Sequence, residues 1–169
     1  MASNSLRASI VAVPISTSRP MSLSMSPAAA RPTAAMQLSD TNVISELMRP
    51  VPDPGVEAWA AGQTRLCISV ITVDEIVFGL RRRGGARLTA WFDGFVEQVQ
   101  VLEIGLPVAR RAGELRALLQ ASGQVRTQAD MLIAATAQVH GLTLVTRNTR
   151  DFDGCGVAVL NPFLRPAGA

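Results

Sequence analysis

The sequence predicts an α/β fold built on a parallel sheet, and three observations carry that expectation. Short apolar runs recur between helical segments without the strict alternation of a half-exposed sheet, which is the pattern of strands covered on both faces. Acidic groups fall just beyond several of these runs, where ligands bind in open parallel sheets. The length, 169 residues, suits one domain with enough chain for a core.

The elements follow in order. A strand over 36–39 leads into a helix near 43–48, which Pro50, Pro52 and Pro54 stop because proline lacks the amide proton and clashes with the preceding turn. A short helix over 56–61 precedes a strand over 66–70. Residues 72–83 read as a helix broken by Gly84 and Gly85, and 88–99 as another, carrying Trp91, Phe92 and Phe95. A strand over 101–104 comes next. Residues 106–121 have helical period, with Val108, Ala112, Leu115 and Leu119 inward and Arg110, Arg111 and Glu114 outward. An apolar helix over 127–140 and strands over 142–145 and 157–160 complete a sheet of about five strands. There is no internal repeat.

Residues 1–35 are set apart by composition. They are rich in Ser, Ala, Pro and Arg and resemble a transit peptide, yet Met21, Met25 and Met36 offer later starts. The reading adopted is a natural start at Met36, with 1–35 a disordered leader or mis-called extension and the folded domain over 36–165.

Charge and composition exclude several functions. All 16 basic residues are arginine; there is no lysine and no tyrosine. Arg7, Arg19 and Arg31 precede Met36, and no acid precedes Asp40, so from Met36 onward 13 arginines balance 13 acids. Nucleic-acid contact must therefore come from a local patch, such as Arg81, Arg82, Arg83 and Arg87, rather than from the overall field. Without lysine there is no P-loop and no phosphate-receiver site, and no GxGxxG follows the first strand. No apolar stretch approaches the roughly 20 residues of a membrane span. Cys67 and Cys155 lack a CxxC or a histidine partner and read as structural thiols of a reducing, cytoplasmic setting. The single histidine, His140, precedes Gly141 at a helix end, so the chemistry should proceed without histidine.

The acids carry the functional expectation. Asp40 closes the first strand, Glu75 follows the second, Asp130 opens an apolar helix, and Asn148 and Asp151 follow the strand over 142–145. In a parallel sheet these groups converge on one edge. Carboxylates brought together repel, a bound cation relieves the repulsion, and oxygen-only ligation suits Mg²⁺ and Mn²⁺. Each acid also has a simpler explanation. Thr72 to Glu75 and Thr127 to Asp130 match the capping box or its Asp variant. Asp40 and Thr41 could cap a helix, and Asp151 and Asp153 could be turn residues. Capping does not, however, require acids after three separate strands.

Four segments together carry a more specific resemblance. Leu-Ser-Asp-Thr-Asn-Val-Ile-Ser-Glu, Ser-Val-Ile-Thr-Val-Asp-Glu-Ile-Val-Phe-Gly, Ala-Asp-Met-Leu-Ile-Ala-Ala-Thr-Ala and Leu-Val-Thr-Arg-Asn-Thr-Arg-Asp-Phe resemble, in order and spacing, the signature motifs of PIN-domain ribonucleases. Among these the chain is most similar to the VapC toxins of bacterial toxin–antitoxin pairs, in the FitB-like branch, over Met36 to Phe163. The resemblance implies a three-layer fold with a central parallel sheet and an Mg²⁺- or Mn²⁺-dependent endoribonuclease that cuts single-stranded regions of RNA. It places the acidic positions at Asp40, Glu75 and Asp130. The fourth falls on the Thr-Arg-Asn segment, where many relatives carry Asp and this chain has Asn148. An amide brings no negative charge, so Asp151 is the alternative fourth ligand, ranked below Asn148. Thr146 could position a phosphate or water, and Thr41 and Asn42 could orient Asp40 or cap the first helix.

On this reading Asp40, Asp130 and Glu75 hold the ion, which polarises the scissile phosphate and activates a water. Arg81 to Arg83, Arg87 or Arg147 could hold flanking phosphates. The resemblance also implies a VapB-like antitoxin whose tail covers the pocket, a homodimer, and contact with DNA only through the antitoxin. The competing expectation is a catalytically silent PIN-like binding domain, which Asn148 keeps open. A third expectation is a different metal phosphohydrolase on a similar sheet; the absence of a HAD-type DxD motif, since Asp40–Thr41–Asn42 ends in an amide, argues against it.

Overall fold

The protein was analysed as a computed structural model that describes residues 36–83 and 85–164. The leader, Gly84 of the expected helix break, and the domain's end at residue 165 lie outside the described residues.

Strand β1 (Gln37–Ser39) leads to α1 (Thr41–Leu47) and α2 (Pro54–Ala61). Strand β2 (Cys67–Ser69) runs directly into α3 (Val70–Arg83), followed by α4 (Ala86–Val96) and β3 (Gln100–Leu102). The second half comprises α5 (Leu106–Ala121), α6 (Gln128–Val139), β4 (Thr143–Val145), a single 3₁₀ turn (Thr149–Phe152) and β5 (Val159–Leu160). The five strands form one sheet in the order β3-β2-β1-β4-β5. All four pairings are parallel.

The strands are shorter than the apolar runs suggest, because local hydrogen bonding ends them early. Val70, expected in a strand, opens α3 instead: the Ser69 hydroxyl accepts the Ile71 amide at 3.2 Å and turns the chain as soon as β2 ends. The helix expected over 88–99 begins at Ala86 and ends at Val96.

Two apolar clusters cover the two faces of the sheet and make three layers. Leu38, Cys67 and Leu144 face α5 and α6, packing with Val108, Leu115 and Ile133. Ile68 and Val145 face the other way, toward Val43, Ile44, Val56, Ile76, Phe92 and Phe95 of α1 to α4. Neighbours along a strand point to opposite faces, so Leu144 and Val145 must each find an apolar layer, which explains runs without alternation. The stripe Val108, Ala112, Leu115 and Leu119 is buried as its period requires. Phe92 and Phe95 are core, and Trp91 stacks on Phe95 with ring centroids 5.3 Å apart. His140 is the C-cap of α6, with Gly141 at φ +64 beyond it, so it serves the helix end as expected. Cys67 and Cys155 are free and buried, and burial pushes the Cys67 thiol up to about 11. Among the described residues no helix is long and apolar enough to cross a membrane.

Candidate active site

The register of the sheet builds the site. Ser39 of β1 sits beside Val145 of β4 and Ile68 of β2, so the next residues out, Asp40 and Thr146, emerge side by side at the carboxyl edge. The Asp40 amide donates to Val145 O at 2.9 Å, extending the ladder by one bond. Across the sheet Thr146 is held likewise, its amide donating to Leu160 O at 2.9 Å. Asp40 is the central acid, on the central strand.

Its side chain is enclosed. Asp40 is 6 % exposed and is the N-cap of α1, with Oδ1 accepting the Thr41 amide at 2.7 Å. Oδ2 accepts from Asn42 Nδ2 at 2.6 Å and from the Thr146 hydroxyl at 2.6 Å. Asn42 Nδ2 also donates to Thr146 Oγ1 at 2.9 Å, and Asn42 Oδ1 accepts the Arg147 amide at 3.0 Å. The Thr146 oxygen accepts the Asn148 amide at 3.0 Å as well. Both alternatives for this region therefore hold together: Asp40 caps the helix, while Asn42 and Thr146 fix its carboxylate. Burial raises the Asp40 pKa above the ordinary carboxylate range. The Thr146 and Thr41 hydrogen bonds pull it back in part, and the Glu75 and Asp130 charges push it further up.

The other expected residues come to the same place. Asp40, Thr41, Asn42, Glu75, Asp130 and Asn148 line one cavity of about 390 Å³, together with Asp74 and Phe78. Glu75 arrives because α3 starts directly at the end of β2. Its carboxylate accepts the Thr41 hydroxyl, so it is tied to α1 rather than to its own helix start. The capping box expected from Thr72 to Glu75 does not form: Thr72 lies inside α3, fully buried, and its hydroxyl has no hydrogen-bond partner. At α6 the N-cap half of the box forms, with Thr127 Oγ1 accepting the Asp130 amide at 3.1 Å, while Asp130 Oδ2 takes the Thr127 hydroxyl at 2.5 Å rather than closing the box on the backbone. Asp130 thus stands in the first turn of its helix and lines the cavity at once.

Asn148 lines the cavity and Asp151 does not, since the 3₁₀ turn carries the chain away after Asn148. The acids ring the cavity rather than close on one point. Among the described residues no three Asp, Glu, His or Cys side chains are gathered into a set that could hold a metal ion. Like charges repel, and two of the acids are engaged by neighbouring hydroxyls, Glu75 by Thr41 and Asp130 by Thr127.

Two cavity residues were missed in the sequence. Asp74 looks like an ordinary neighbour of Glu75, and Phe78, with Ile76 and Val77, reads equally as core or as a surface for a partner. The signal that could have found them is their spacing of four on one helix, which puts both on one face. Of the expected arginines, Arg82 lies over the Phe78 ring at 5.5 Å and Arg147 over Phe163 at 5.1 Å. Arg87 lines a second cavity of about 520 Å³, mainly apolar, with Met48, Ile76, Leu80 and Leu88; Glu75 borders both cavities.

The comparisons with known proteins agree with this geometry. The family model described as PIN domain matches residues 38–155. The chain is 39 % identical over 137 residues to the VapC ribonuclease Y4jK of Sinorhizobium fredii, covering 76 % of this chain and 98 % of that one. It is 34 % identical over 137 residues to the toxin FitB of Neisseria gonorrhoeae, covering 76 % of this chain and 99 % of the relative. Its fold superposes on the DNA-bound VapBC complex of Salmonella typhimurium with a TM-score of 0.68 at 28 % identity, over 76 % of this chain and 98 % of that one. A parallel sheet in this order, acids at its carboxyl edge and matches over nearly the full length of these relatives lead to one conclusion: the chain belongs to the PIN-domain family, in the VapC branch that includes FitB.

Proposed function

We propose that this protein is the toxin of a toxin–antitoxin pair, a divalent-metal-dependent endoribonuclease that cuts single-stranded regions of RNA. The observation that carries the proposal is that Asp40, Glu75, Asp130 and Asn148, from four separate stretches of chain, line one cavity at the carboxyl edge of the sheet. Relatives named as ribonuclease and toxin support the activity.

The residues suit a hard cation. All the donors are oxygens, and Mg²⁺ takes one or two carboxylates while keeping several waters, rather than demanding an all-protein cage. Acids spaced around a cavity fit that habit, so Mg²⁺ is the ion assigned, with Mn²⁺ as its substitute. An ionised carboxylate has about four lone-pair sites. Three on Asp40 are taken by Thr41, Asn42 and Thr146, which leaves a site on Oδ1 for the ion. Asp130 and Glu75 add negative charge close enough to act on Asp40, and Asn148 offers an amide to a water or phosphate. Asp151 is left outside the ligand set. When bound, the ion supplies Lewis-acid polarisation of the scissile phosphate and activation of the attacking water. The chain's own residues do the rest: Thr41, Asn42 and Thr146 orient the Asp40 carboxyl group, and the acids keep the phosphate out until a cation neutralises the pocket.

A VapB-like antitoxin is the partner assigned, supported by superposition on the VapBC complex. The acidic cavity and the apolar one meet at Glu75, so one partner carrying an apolar helix and a basic side chain can cover both.

The test is cleavage of single-stranded RNA with Mg²⁺, with chelator, and by Asp40→Asn. Cleavage should require the ion, and the variant should lose more than about a hundredfold, beyond the roughly 10- to 100-fold cost of an outer-shell change, while keeping its far-UV circular dichroism. Cutting that survives both chelation and the substitution overturns the proposal.

A further inference from the structure

We infer that Phe78 is a stacking platform for one base of the RNA strand at the mouth of the acidic cavity, with Arg82 holding the adjoining phosphate; this rests on the ribonuclease reading above. The placement of the ring is the starting point. Phe92, Phe95 and Phe152 are 1 %, 4 % and 2 % exposed, whereas Phe78 is 61 % exposed. Phe163, the other ring beneath an arginine, is packed against the core by contrast. An exposed phenyl ring on the wall of a charged cavity gains nothing for the fold, and its contribution must come from what enters the cavity.

The chemistry of the stripe selects the occupant. Asp74, Phe78 and Arg82 are four residues apart on α3 and share one face. Asp74 and Phe78 line the acidic cavity, while the Arg82 guanidinium lies 5.5 Å from the ring centroid on the outward side, among the three arginines of the last helical turn. The face therefore runs from carboxylate to ring to cation. A nucleic-acid strand presents the matching sequence: a scissile phosphate that needs an ion among the acids, a base with a π-face, and a flanking phosphate that needs a fixed positive charge. Single-strand binding sites combine these elements, stacking bases on aromatic rings beside a basic track, and arginine adds to stacking through its own planar cation. Stacking is also the one contact that the acidic floor does not oppose, because the base is uncharged.

The experiment measures kcat and KM on a single-stranded RNA for wild type, Phe78→Ala, Phe78→Trp and Arg82→Gln. The substrates include a series carrying one abasic nucleotide walked past the cut. For Phe78→Ala, KM should rise about tenfold, the loss expected for one stacked base, with the change carried by KM rather than kcat. Phe78→Trp should restore KM, and Arg82→Gln should raise it in a salt-dependent way. Wild type should show the same KM penalty at one abasic position, and Phe78→Ala should be indifferent to that position. An unchanged KM in Phe78→Ala, or no sensitive abasic position in wild type, overturns the inference while leaving the ribonuclease intact. An unchanged KM with weakened binding of the antitoxin also overturns it and assigns the ring to the partner surface. RNA left uncut by wild type overturns the ribonuclease reading itself.

Discussion

The Thr146 hydroxyl donates to Asp40 Oδ2 across 2.6 Å, joining two residues 106 positions apart in the chain. The parallel register of β1 and β4 makes this contact unavoidable, since Ser39 pairs with Val145 one step before. The same oxygen accepts from Asn42 and from the Asn148 amide. One hydroxyl thereby ties the central acid to the strand that delivers the fourth site residue. Thr146→Val keeps the shape and removes that tie. The Thr146 hydrogen bond lowers the Asp40 pKa, so its loss moves the acid limb of the pH–rate profile to higher pH. Loss of an orienting partner costs roughly 10- to 100-fold in metal affinity or activity. The expected outcome is a Mg²⁺ requirement raised by about that factor and largely recovered by excess ion. A metal titration of cleavage reads it, and an unshifted midpoint would show that Thr146 serves only the turn.

Asp40 also sets how stability depends on pH. Its folded pKa lies above the ordinary value, chiefly through burial. The fold therefore holds the proton more tightly than the unfolded chain does. The stability this contributes is fully present below the unfolded pKa and is lost as pH rises through the folded one. Asn does not titrate. In chelator, the urea midpoint of wild type relative to Asp40→Asn should fall as pH rises from the ordinary carboxylate range through the raised folded pKa. Adding Mg²⁺ at the upper pH should restore wild type and leave the variant unmoved. A relative midpoint that climbs with pH would contradict the burial of an ionised Asp40.

Asn148 decides the charge of the pocket. It lines the cavity with Asp40, Glu75, Asp130 and Asp74 but brings no charge of its own. Asn148→Asp adds a fifth carboxylate to the cavity, on the β4 side, which raises the attraction for a divalent ion and the repulsion of RNA before the ion binds. We expect half-saturation at a Mg²⁺ concentration several-fold lower. Cleavage without ion should stay absent. Isothermal titration with Mn²⁺ measures the first part, and tighter binding by the native Asn would refute it.

The legible and illegible parts of this molecule differ for physical reasons. Leu144 and Val145 showed the layering, because two adjacent buried apolar residues on a strand require cover on both sides. Asp40 was legible because it follows a buried strand with no apolar function to serve. The Thr72–Glu75 box was equally plausible in sequence and does not exist, since helix α3 starts two residues earlier under the Ser69 hydroxyl. Capping motifs depend on where a helix begins, and that was decided here by the serine immediately before it. Phe78 was unreadable for a related reason. Ile76 and Phe78 both suit a core, and only the packing of α3 against α1 buries the first at 4 % exposure and leaves the second out. Asp151 and Asn148 were separable only once the 3₁₀ turn fixed which way the chain leaves β4.

Gly55 offers a test of the scaffold, apart from the chemistry. It sits in the first turn of α2, where its amide donates to Asp53 Oδ1 at 2.8 Å. A Cβ added there would lie 2.3 Å from the Pro162 carbonyl oxygen, so backbone must move. The segment it would displace holds Asn161, whose Nδ2 donates to Arg147 O at 3.4 Å, and Phe163, whose ring lies under Arg147. Arg147 in turn donates its amide to Asn42 beside Asp40. Overpacking of this kind costs about 1–3 kcal/mol, so Gly55→Ala should lower the urea midpoint accordingly. Gly113, inside α5 and with nothing within 4 Å of an added Cβ, should respond with the opposite sign. There alanine removes a helix-weakening residue and gains up to about 1 kcal/mol. Equal shifts from the two substitutions would mean that the approach of Pro162 to α2 does not exist in solution.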